Sequence, residues 1–535
     1  MSATAAAVLN RRFWVETAPL IVLCLLPILL YLPSLGAPFE RDEGVYATIA
    51  RGVLHGQVPY RDLFDNKPPL VYGWYAFSFL LFGESVIAPR IVAAVLLSCT
   101  TFFVFKQARM AFPLGVAYVA AGAFALSTGL PFVALHANTE AYMLLPLMSS
   151  LVAFTVGMRD GRLRWFLLAG VLGAVAMMTK QVAVWNLITL AAVVSVWHWR
   201  REGLTRRSLA PAAALLAGSA VTTALIAVPF AVTGALDELL YANLSYNWLY
   251  MSVLTYGQRL ADLGLGLLFF SAVAAPFIGS ALMGLMIIVR RKSSVAEYLL
   301  IFWGLASVVG VASGGRFFPH YFLQLMPALA VLAAVAVYHR LRERHVHPVH
   351  RPAMALALFL VVVSVGTNAA LYIAPHAAEQ RVAASVYEQK QWEEDSKKLG
   401  EWIAARTDPD DKIFNWGREA QIYAYADRDP AVRYFYDWAY WYDERNLPAT
   451  MQALREAMPV YIIDSAQRPL FQDWRKFHPP ELMLFISENY EYAGRIYFAD
   501  VYRLKDDGRR AMRGLSGAGD GSELDLFMTQ DYAFQ

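Results

Sequence analysis

Residues 209–232 read LAPAAALLAGSAVTTALIAVPFAV, a run of twenty-four residues without Asp, Glu, Lys or Arg. An α-helix needs about 20 mostly apolar residues to cross the hydrocarbon core of a bilayer. Further uncharged cores recur along the first 373 residues, at 17–35, 91–105, 113–129, 141–157, 166–178, 182–197, 263–289, 298–312, 321–338 and 353–373. The pattern predicts a polytopic α-helical membrane protein with about 11 transmembrane helices.

Composition supports this prediction. Hydrophobic residues make up 57% of the 535 residues and charged residues 17%, against roughly 45–50% and about 25% in soluble proteins. A large soluble α-helical protein is the alternative, but soluble domains do not sustain such uncharged stretches over 373 residues. The formal net charge of +3 gives no basic footprint for nucleic acid, so no nucleic-acid partner is expected.

The charges between the cores indicate the orientation. One set of connecting segments holds 18 Lys and Arg but 5 Asp and Glu: 1–16, 106–112, 158–165, 198–208, 290–297 and 339–352. The other set holds 8 and 10, respectively: 36–90, 130–140, 179–181, 233–262 and 313–320. Because cytoplasmic loops are enriched in Lys and Arg, the first set and the amino terminus are predicted to be cytoplasmic. Eleven crossings then place residues 374–535 outside the cytoplasm.

The two parts of the chain differ in character. Residues 1–373 form the predicted transmembrane domain, with the long outer loop 36–90. Residues 374–535 contain 20 basic and 28 acidic residues and read as a soluble extracytoplasmic domain. A helical stretch at 387–406 and strand-like runs at 412–416, 460–464 and 495–504 predict an α/β fold for it.

The first outer loop opens with Glu40-Arg41-Asp42-Glu43. Val45, Ile49 and Val53 follow at helical spacing, which predicts an amphipathic helix at the membrane surface. In the structural interpretation Asp42 is the N-cap of this helix and Glu43 complements its dipole. In the functional interpretation one of these carboxylates accepts a proton from an attacking hydroxyl group.

Cations recur in the outer segments. Lys67 precedes two prolines that fix the backbone, Lys180 lies in a minimal turn between two spans, and Arg316 with His320 forms a further pair suited to anions. Such cations bind lipid phosphate at an interface, or they are side chains that extend towards water. Glu140 starts an apolar core and is either a helix-start acid or a second acid for catalysis or metal binding.

In this order the motifs resemble the GT-C membrane glycosyltransferases, in the branch of protein O-mannosyltransferases and the lipid A aminoarabinose transferase (glycosyltransferase family 39-like). The matching stretches are Arg41-Asp42-Glu43-Gly44-Val45-Tyr46-Ala47, Asp65-Asn66-Lys67-Pro68-Pro69-Leu70, Phe82-Gly83-Glu84-Ser85, Thr179-Lys180 and 316–321. In the carboxyl-terminal part, 413–417 and 433–435 also resemble the outer domain of bacterial members.

The resemblance implies a glycosyltransferase of the cell membrane. Its donor is a polyprenyl-phosphate-linked sugar, and its acceptor is a hydroxyl of a protein, glycan or lipid on the outer face; transfer inverts the anomeric centre. Asp42 matches the catalytic base, and Glu43 orients it or the acceptor. Lys67 and Lys180 match cations that bind the lipid phosphate, and Arg316, His320, Glu140 and Tyr46 complete the predicted substrate-binding set.

Two alternatives follow from the same features. A divalent metal is a possible cofactor, because some branches of the superfamily use one and Glu140 with the acid pair could supply ligands. A lipid or glycolipid flippase without catalysis is the alternative function. A transporter places charged residues within its spans, whereas the cores here contain none.

Overall fold

The computed structural model of the chain describes residues 17–130, 136–203, 205–291, 293–342, 384–466 and 478–505, together with 14, 362 and 363. Its amino-terminal part is helical. The helices are α1 (Ala18–Tyr31), α2 (Arg41–Leu54), α3 (Leu70–Phe82), α4 (Ile87–Ala111), α5 (Leu114–Ser127), α6 (Thr139–Asp160), α7 (Leu163–Thr179), α8 (Val184–Glu202), α9 (Arg206–Val232), α10 (Leu236–Leu240), α11 (Tyr246–Ser252), α12 (Tyr256–Arg290), α13 (Val295–Ser313) and α14 (Met326–Arg342).

Length and apolar composition make this a multi-pass membrane protein. Six segments of the described chain are long and apolar enough to span a bilayer: Ile87–Ala111, Thr139–Asp160, Gln181–Glu202, Arg206–Val232, Val295–Ser313 and Pro319–Arg340. Helix α12 adds a seventh if its two halves form one span, although they meet at 93°. The predicted polytopic helical class is therefore confirmed, while the side that faces the cytoplasm stays a prediction.

The long spans are fewer than the eleven predicted crossings. The cores 17–35, 113–129 and 166–178 form α1, α5 and α7, helices of 14, 14 and 17 residues. At 1.5 Å per residue these helices are about 21–26 Å long, short of a hydrocarbon core of about 30 Å. Of the eleventh core, 353–373, only residues 362 and 363 lie within the described chain.

Close helix contacts depend on small residues. Helix α7 crosses α9 so tightly that a Cβ atom on Gly170 would lie 1.9 Å from the Leu215 carbonyl oxygen. On the facing helix, a Cβ atom on Gly218 would lie 2.2 Å from the Leu167 carbonyl oxygen. Interfaces between membrane helices are enriched in small residues because packing rather than hydrophobicity drives their association.

The start of α2 differs from the sequence prediction. Glu40, not Asp42, is the N-cap residue: its side chain accepts a hydrogen bond from the Asp42 backbone N at 3.2 Å. Glu43 returns the interaction by accepting from the Glu40 backbone N at 3.0 Å, which completes a capping box. Asp42 therefore lies in the first turn of the helix, and its carboxylate is not used as a cap.

The carboxyl-terminal part combines helices with a small sheet. Its elements are α15 (Ala384–Ala404), β1 (Ile413–Trp416), α16 (Gln421–Ala426), α17 (Trp438–Trp441), α18 (Asn446–Ala457), β2 (Tyr461–Asp464), α19 (Pro480–Asn489), β3 (Tyr490–Ile496) and β4 (Ala499–Leu504). The strand order is β1-β2-β4-β3, with β1 and β2 parallel and the other pairs antiparallel. The expected mixture of helices and strands is confirmed.

One strand prediction was wrong. The run 495–504 is not a single strand but the end of β3, a tight turn and all of β4. Tyr497, in the turn, has a positive φ of 55°. Aromatic and β-branched residues continue through this turn, so no Gly, Pro or Asn marked it in the sequence.

The carboxyl-terminal part packs directly on α2. A Cβ atom on Gly44 would lie 2.5 Å from the Gln421 backbone N. The Thr48 hydroxyl donates to the Ala420 carbonyl at 3.3 Å, and the Phe39 backbone N donates to the Tyr425 hydroxyl at 2.6 Å. Backbone contact at this distance leaves no room for any residue larger than glycine at position 44.

Gly44→Ala is therefore expected to destabilise the protein by about 1–3 kcal/mol, the usual cost of overpacking. Gly73→Ala is the matched control, because it is also helical and has no atom within 4 Å of its would-be Cβ. It should be neutral or stabilising by up to about 1 kcal/mol. Thermal unfolding of the detergent-solubilised full chain measures both. Equal melting temperatures for the two variants would contradict the close packing.

Candidate active site

All five segments assigned to the outer face meet at one end of the helix bundle. Contacts between different segments join Glu43 with Ala137, Asn66 with Asn247, Glu140 with Lys180, and Tyr250 with Arg316. Two of the segments assigned to the inner face also touch, because the Arg159 guanidinium binds the Met110 carbonyl. The outer-face segments therefore lie together, as the charge pattern of the sequence predicts.

Glu43 and Arg90 form a fully buried ion pair. Both side chains are 0% exposed, and Arg90 Nε donates to Glu43 Oε1 at 3.0 Å. The same carboxylate oxygen accepts from the Ala137 backbone N at 2.7 Å. Burial opposes ionisation of Glu43, but Arg90 outweighs it and holds the pKa of this carboxyl well below its usual range. With its oxygens occupied in this way, Glu43 is anchored in the fold.

Asp42 is in a different situation. Its side chain is half-buried, and the Tyr46 hydroxyl, one turn further along α2, lies 3.5 Å from Oδ2. Within the described residues the Asp42 carboxylate forms no ion pair. A carboxylate without a bound cation keeps lone pairs available to accept a proton. Of the two acids in the sequence motif, the structure leaves this one chemically accessible.

Lys67 lies in the loop before α3, two residues after the acid Asp65. Asp65 accepts hydrogen bonds from the Tyr72 hydroxyl at 2.8 Å and the Tyr436 hydroxyl at 2.7 Å. Lys67 Nζ donates to Asn66 Oδ1 at 3.0 Å and has no ion pair in the described chain. Burial lowers the pKa of Lys67, but Asp65 and Asp42 outweigh it and raise this pKa above its ordinary value. Lys67 is therefore a charged amine with spare donors.

Lys180 is already neutralised. Its Nζ binds the Glu140 carboxylate and lies 3.9 Å from the centre of the Tyr321 ring. His320 Nε2 lies 4.0 Å from the same Glu140 oxygen. The structure thus brings together Lys180, Glu140 and His320, which the sequence had named separately. They form one cluster in which Glu140 and Lys180 are buried and compensate each other's charge, with His320 partly exposed beside them.

Arg316 lies between aromatic rings. Its guanidinium carbon is 4.7 Å from the centre of the Tyr250 ring, and one of its nitrogens donates to the Tyr442 hydroxyl at 2.9 Å. Its Nε is buried without a hydrogen-bond partner in the described chain. Burial raises the pKa of Tyr250 to about 12, with the charges of Arg316, Lys67 and Asp42 also acting on it. Of these groups, Arg316 is the one in direct contact with the Tyr250 ring.

Sequence reasoning missed several residues of this site. Arg90 ended the predicted loop 36–90, although it binds Glu43 and four backbone carbonyls between residues 34 and 38. Tyr436 and Tyr442 come from the carboxyl-terminal part and bind Asp65 and Arg316. A tyrosine-rich stretch near 434–442 was the available signal, but sequence separation of more than 100 residues gave no sign of the contacts.

The residues that could hold a divalent metal do not form a site in the described chain. No group of three or more His, Cys, Asp or Glu side chains has suitable geometry there. Of the predicted ligands, Glu43 is bound to Arg90 and Glu140 to Lys180. A ligand set of Asp42, Glu43 and Glu140 would have to break two buried ion pairs, so these residues do not fit a metal.

One protein family matches part of the chain by sequence. The family described as dolichyl-phosphate-mannose-protein mannosyltransferase matches residues 66–204. This stretch includes Lys67, Glu140 and Lys180 but begins after Asp42. No curated protein matches the chain by sequence.

Solved structures match over most of the chain. ArnT from Cupriavidus metallidurans, bound to undecaprenyl phosphate, has a TM-score of 0.59 at 15% identity, covering 94% of this chain and 98% of that one. The archaeal oligosaccharyltransferase AglB from Archaeoglobus fulgidus, in complex with an inhibitory peptide and a dolichol-phosphate, has a TM-score of 0.52 at 13% identity, covering 92% and 74%. The chain has the GT-C fold of membrane glycosyltransferases, as the sequence resemblance implied.

Arg90→Leu is expected to cost about 3–5 kcal/mol, because it leaves the Glu43 carboxylate buried without its cation. Arg455→Leu is the control: Arg455 pairs with Glu481, but both side chains are about half exposed, and such pairs contribute about 0–1 kcal/mol. Thermal unfolding compares the two. A melting temperature of Arg90→Leu equal to that of the control would contradict the structural role of the pair.

The pKa of Glu43 also determines the pH range in which its pair with Arg90 stabilises the protein. Because it is lowered in the folded protein, the stabilisation is present above the unfolded value of about 4.3. It is lost only as the pH falls below that value towards the folded pKa.

Proposed function

We propose that this protein is a polyprenyl-phosphate-sugar-dependent glycosyltransferase that modifies an acceptor hydroxyl on the outer face of the cell membrane. One observation carries the proposal. Asp42, Lys67 and Arg316 lie on outer segments that contact one another at the same end of the helix bundle, and none of the three forms an ion pair in the described chain. Tyr46, whose hydroxyl contacts Asp42, packs on Tyr72, and the Tyr72 hydroxyl contacts the Lys67 carbonyl. A donor with an anionic leaving group and an acceptor that loses a proton need these two kinds of group together.

The reaction assigns a role to each group. The acceptor oxygen attacks the anomeric carbon while its proton passes to the Asp42 carboxylate. The bond between the anomeric carbon and the phosphate oxygen breaks, and the electron pair leaves with the polyprenyl phosphate. Fixed cations stabilise the charge that develops on this phosphate in a poorly hydrated site. Attack from the side opposite the leaving group inverts the anomeric centre.

Lys67 and Arg316 are the cations proposed to hold the phosphate. Lys67 uses one donor on Asn66, and the described contacts of Arg316 use one nitrogen on Tyr442. Lys180 is neutralised by Glu140, so we assign it to the wall of the site together with His320. Glu43 positions Asp42 through the capping box, and Tyr46 orients the Asp42 carboxylate.

The similar proteins support the type of donor. ArnT was solved with undecaprenyl phosphate and AglB with a dolichol-phosphate, and the matching family is described by a dolichyl-phosphate-linked mannose. The sugar and the acceptor of this protein are to be found by experiment. A panel of polyprenyl-phosphate sugars can be screened through the stabilisation that a bound ligand gives against thermal unfolding.

Asp42→Asn is expected to lower the transfer rate by about 10²–10⁴-fold, the usual contribution of a positioned base. Binding of the donor should persist because the cations are unchanged. Asp62→Asn is the control, since Asp62 lies in the same loop and is paired with Arg61. Transfer from a radiolabelled polyprenyl-phosphate sugar is the measurement. Full activity of Asp42→Asn would refute the assignment of the base, and donor movement across the membrane without transfer would favour the flippase.

Lys67→Met and Arg316→Met are expected to weaken donor binding by about tenfold or more, since a hydrogen bond to a charged group contributes about 1.5–3 kcal/mol. Arg61→Met is the control: this exposed arginine lies in the same loop as Lys67. Labelling by a photoreactive polyprenyl-phosphate analogue measures binding. Undiminished labelling of both variants would show that Lys67 and Arg316 do not bind the lipid phosphate.

A further inference from the structure

Arg41 directly precedes the proposed base but is bound elsewhere. Its Nε donates to Glu419 Oε1 at 3.1 Å, and a second guanidinium nitrogen lies 3.1 Å from the same oxygen. Glu419 belongs to the carboxyl-terminal part, between β1 and α16. Its side chain is 3% exposed, against 22% for Arg41. The cation next to Asp42 in sequence is thus held by a buried acid 378 residues away.

Glu419 is fixed independently of Arg41. Its Oε2 accepts a hydrogen bond from the Arg418 backbone N at 3.0 Å and lies 3.4 Å from the Ser465 hydroxyl. That hydroxyl donates to Asn415 Oδ1, in β1, at 2.8 Å. The next residues, Ala420 and Gln421, are those that pack against α2. The sheet therefore sets the position of the Glu419 carboxylate relative to the first turn of α2.

In the turn at 61–62, outside any helix, an arginine that no other acid of the described chain binds contacts the aspartate next to it. Arg61 and Asp62 are adjacent, and the guanidinium contacts both carboxylate oxygens, at 2.9 and 2.8 Å. Such a two-pronged contact is the preferred geometry of an arginine with a carboxylate. The same contact between Arg41 and Asp42 would occupy both oxygens of the proposed base.

We propose that Glu419 is a positioning residue for transfer: it binds Arg41 and thereby keeps the guanidinium off the Asp42 carboxylate. The inference rests on the proposed role of Asp42 as base. With Arg41 held away, an Asp42 oxygen can take the proton of the acceptor hydroxyl. The carboxyl-terminal part is then a component of the active site, and its chemical contribution is to control which charges reach the base.

Glu419→Gln tests this with a side chain of the same shape. A neutral amide binds a guanidinium less strongly than a carboxylate does. The Arg41 guanidinium should therefore leave residue 419 and bind the Asp42 carboxylate. The transfer kcat is expected to fall about ten- to a hundredfold, whereas KM for the donor stays unchanged, because Lys67 and Arg316 are untouched. Glu481→Gln, which breaks the exposed pair with Arg455 in the same region, should leave both constants unchanged.

The double variant Arg41→Gln/Glu419→Gln separates this role from a structural one. It removes the interfering cation together with its partner, so most of the lost kcat should return. A double variant as slow as Glu419→Gln at an unchanged melting temperature, or a fully active Glu419→Gln, would overturn the proposal. If Glu419→Gln does not fold, the double variant decides alone: near wild-type kcat supports the proposal, and lost kcat in a folded protein refutes it.

These outcomes are distinct from failure of the proposed function. Full activity of Asp42→Asn would remove the base itself. Loss of activity in Asp42→Asn combined with full activity of Glu419→Gln would leave the base in place and reject only the role of Glu419.

Discussion

The arrangement of the site depends on the buried pair of Glu43 and Arg90. Neither side chain is exposed, and burying two charges is tolerated only when each is fully bound. Arg90 also donates to the backbone carbonyls of Ser34, Ala37 and Pro38, and Glu43 accepts from the Ala137 backbone N. The pair therefore joins the end of α1, the start of α2, α4 and the turn before α6. Asp42, next to Glu43 in the first turn of α2, has its position determined by these bonds.

We propose that ion pairing separates residues that position the segments of the site from residues that take part in the reaction. Glu43, Glu140 and Glu419 are bound by Arg90, Lys180 and Arg41, respectively, and stabilise contacts between distant segments. Asp42, Lys67 and Arg316 form no ion pair within the described residues. A buried or half-buried charge without compensation is costly to keep. We propose that Lys67 and Arg316 bind the anionic donor and that Asp42 takes the proton of the acceptor. This criterion distinguishes acids and cations that look equivalent in the sequence.

Much of the fold could be predicted from the sequence, because uncharged segments and loop charges follow directly from the physics of the bilayer. The loops carrying Asp42, Lys67, Glu140, Lys180 and Arg316 were correctly expected at one end of the bundle. Their partners could not be predicted. Whether Lys180 binds a phosphate or Glu140 depends on side-chain geometry between residues 40 positions apart. Glu419 contacts α2 and Tyr436 contacts Asp65, and both contacts join positions more than 300 residues apart. The run that forms α3 was not counted among the apolar cores, because it directly follows the charged motif in 36–90.

The central claim is that Asp42, Lys67 and Arg316 surround the bond that is broken. A cryo-electron microscopy structure of the full chain with a bound polyprenyl phosphate tests it most directly. We expect the phosphate within hydrogen-bonding distance of Lys67 and Arg316, with the Asp42 carboxylate facing the space where the sugar would lie. A phosphate bound at the opposite end of the helix bundle, or contacting neither cation, would contradict this account.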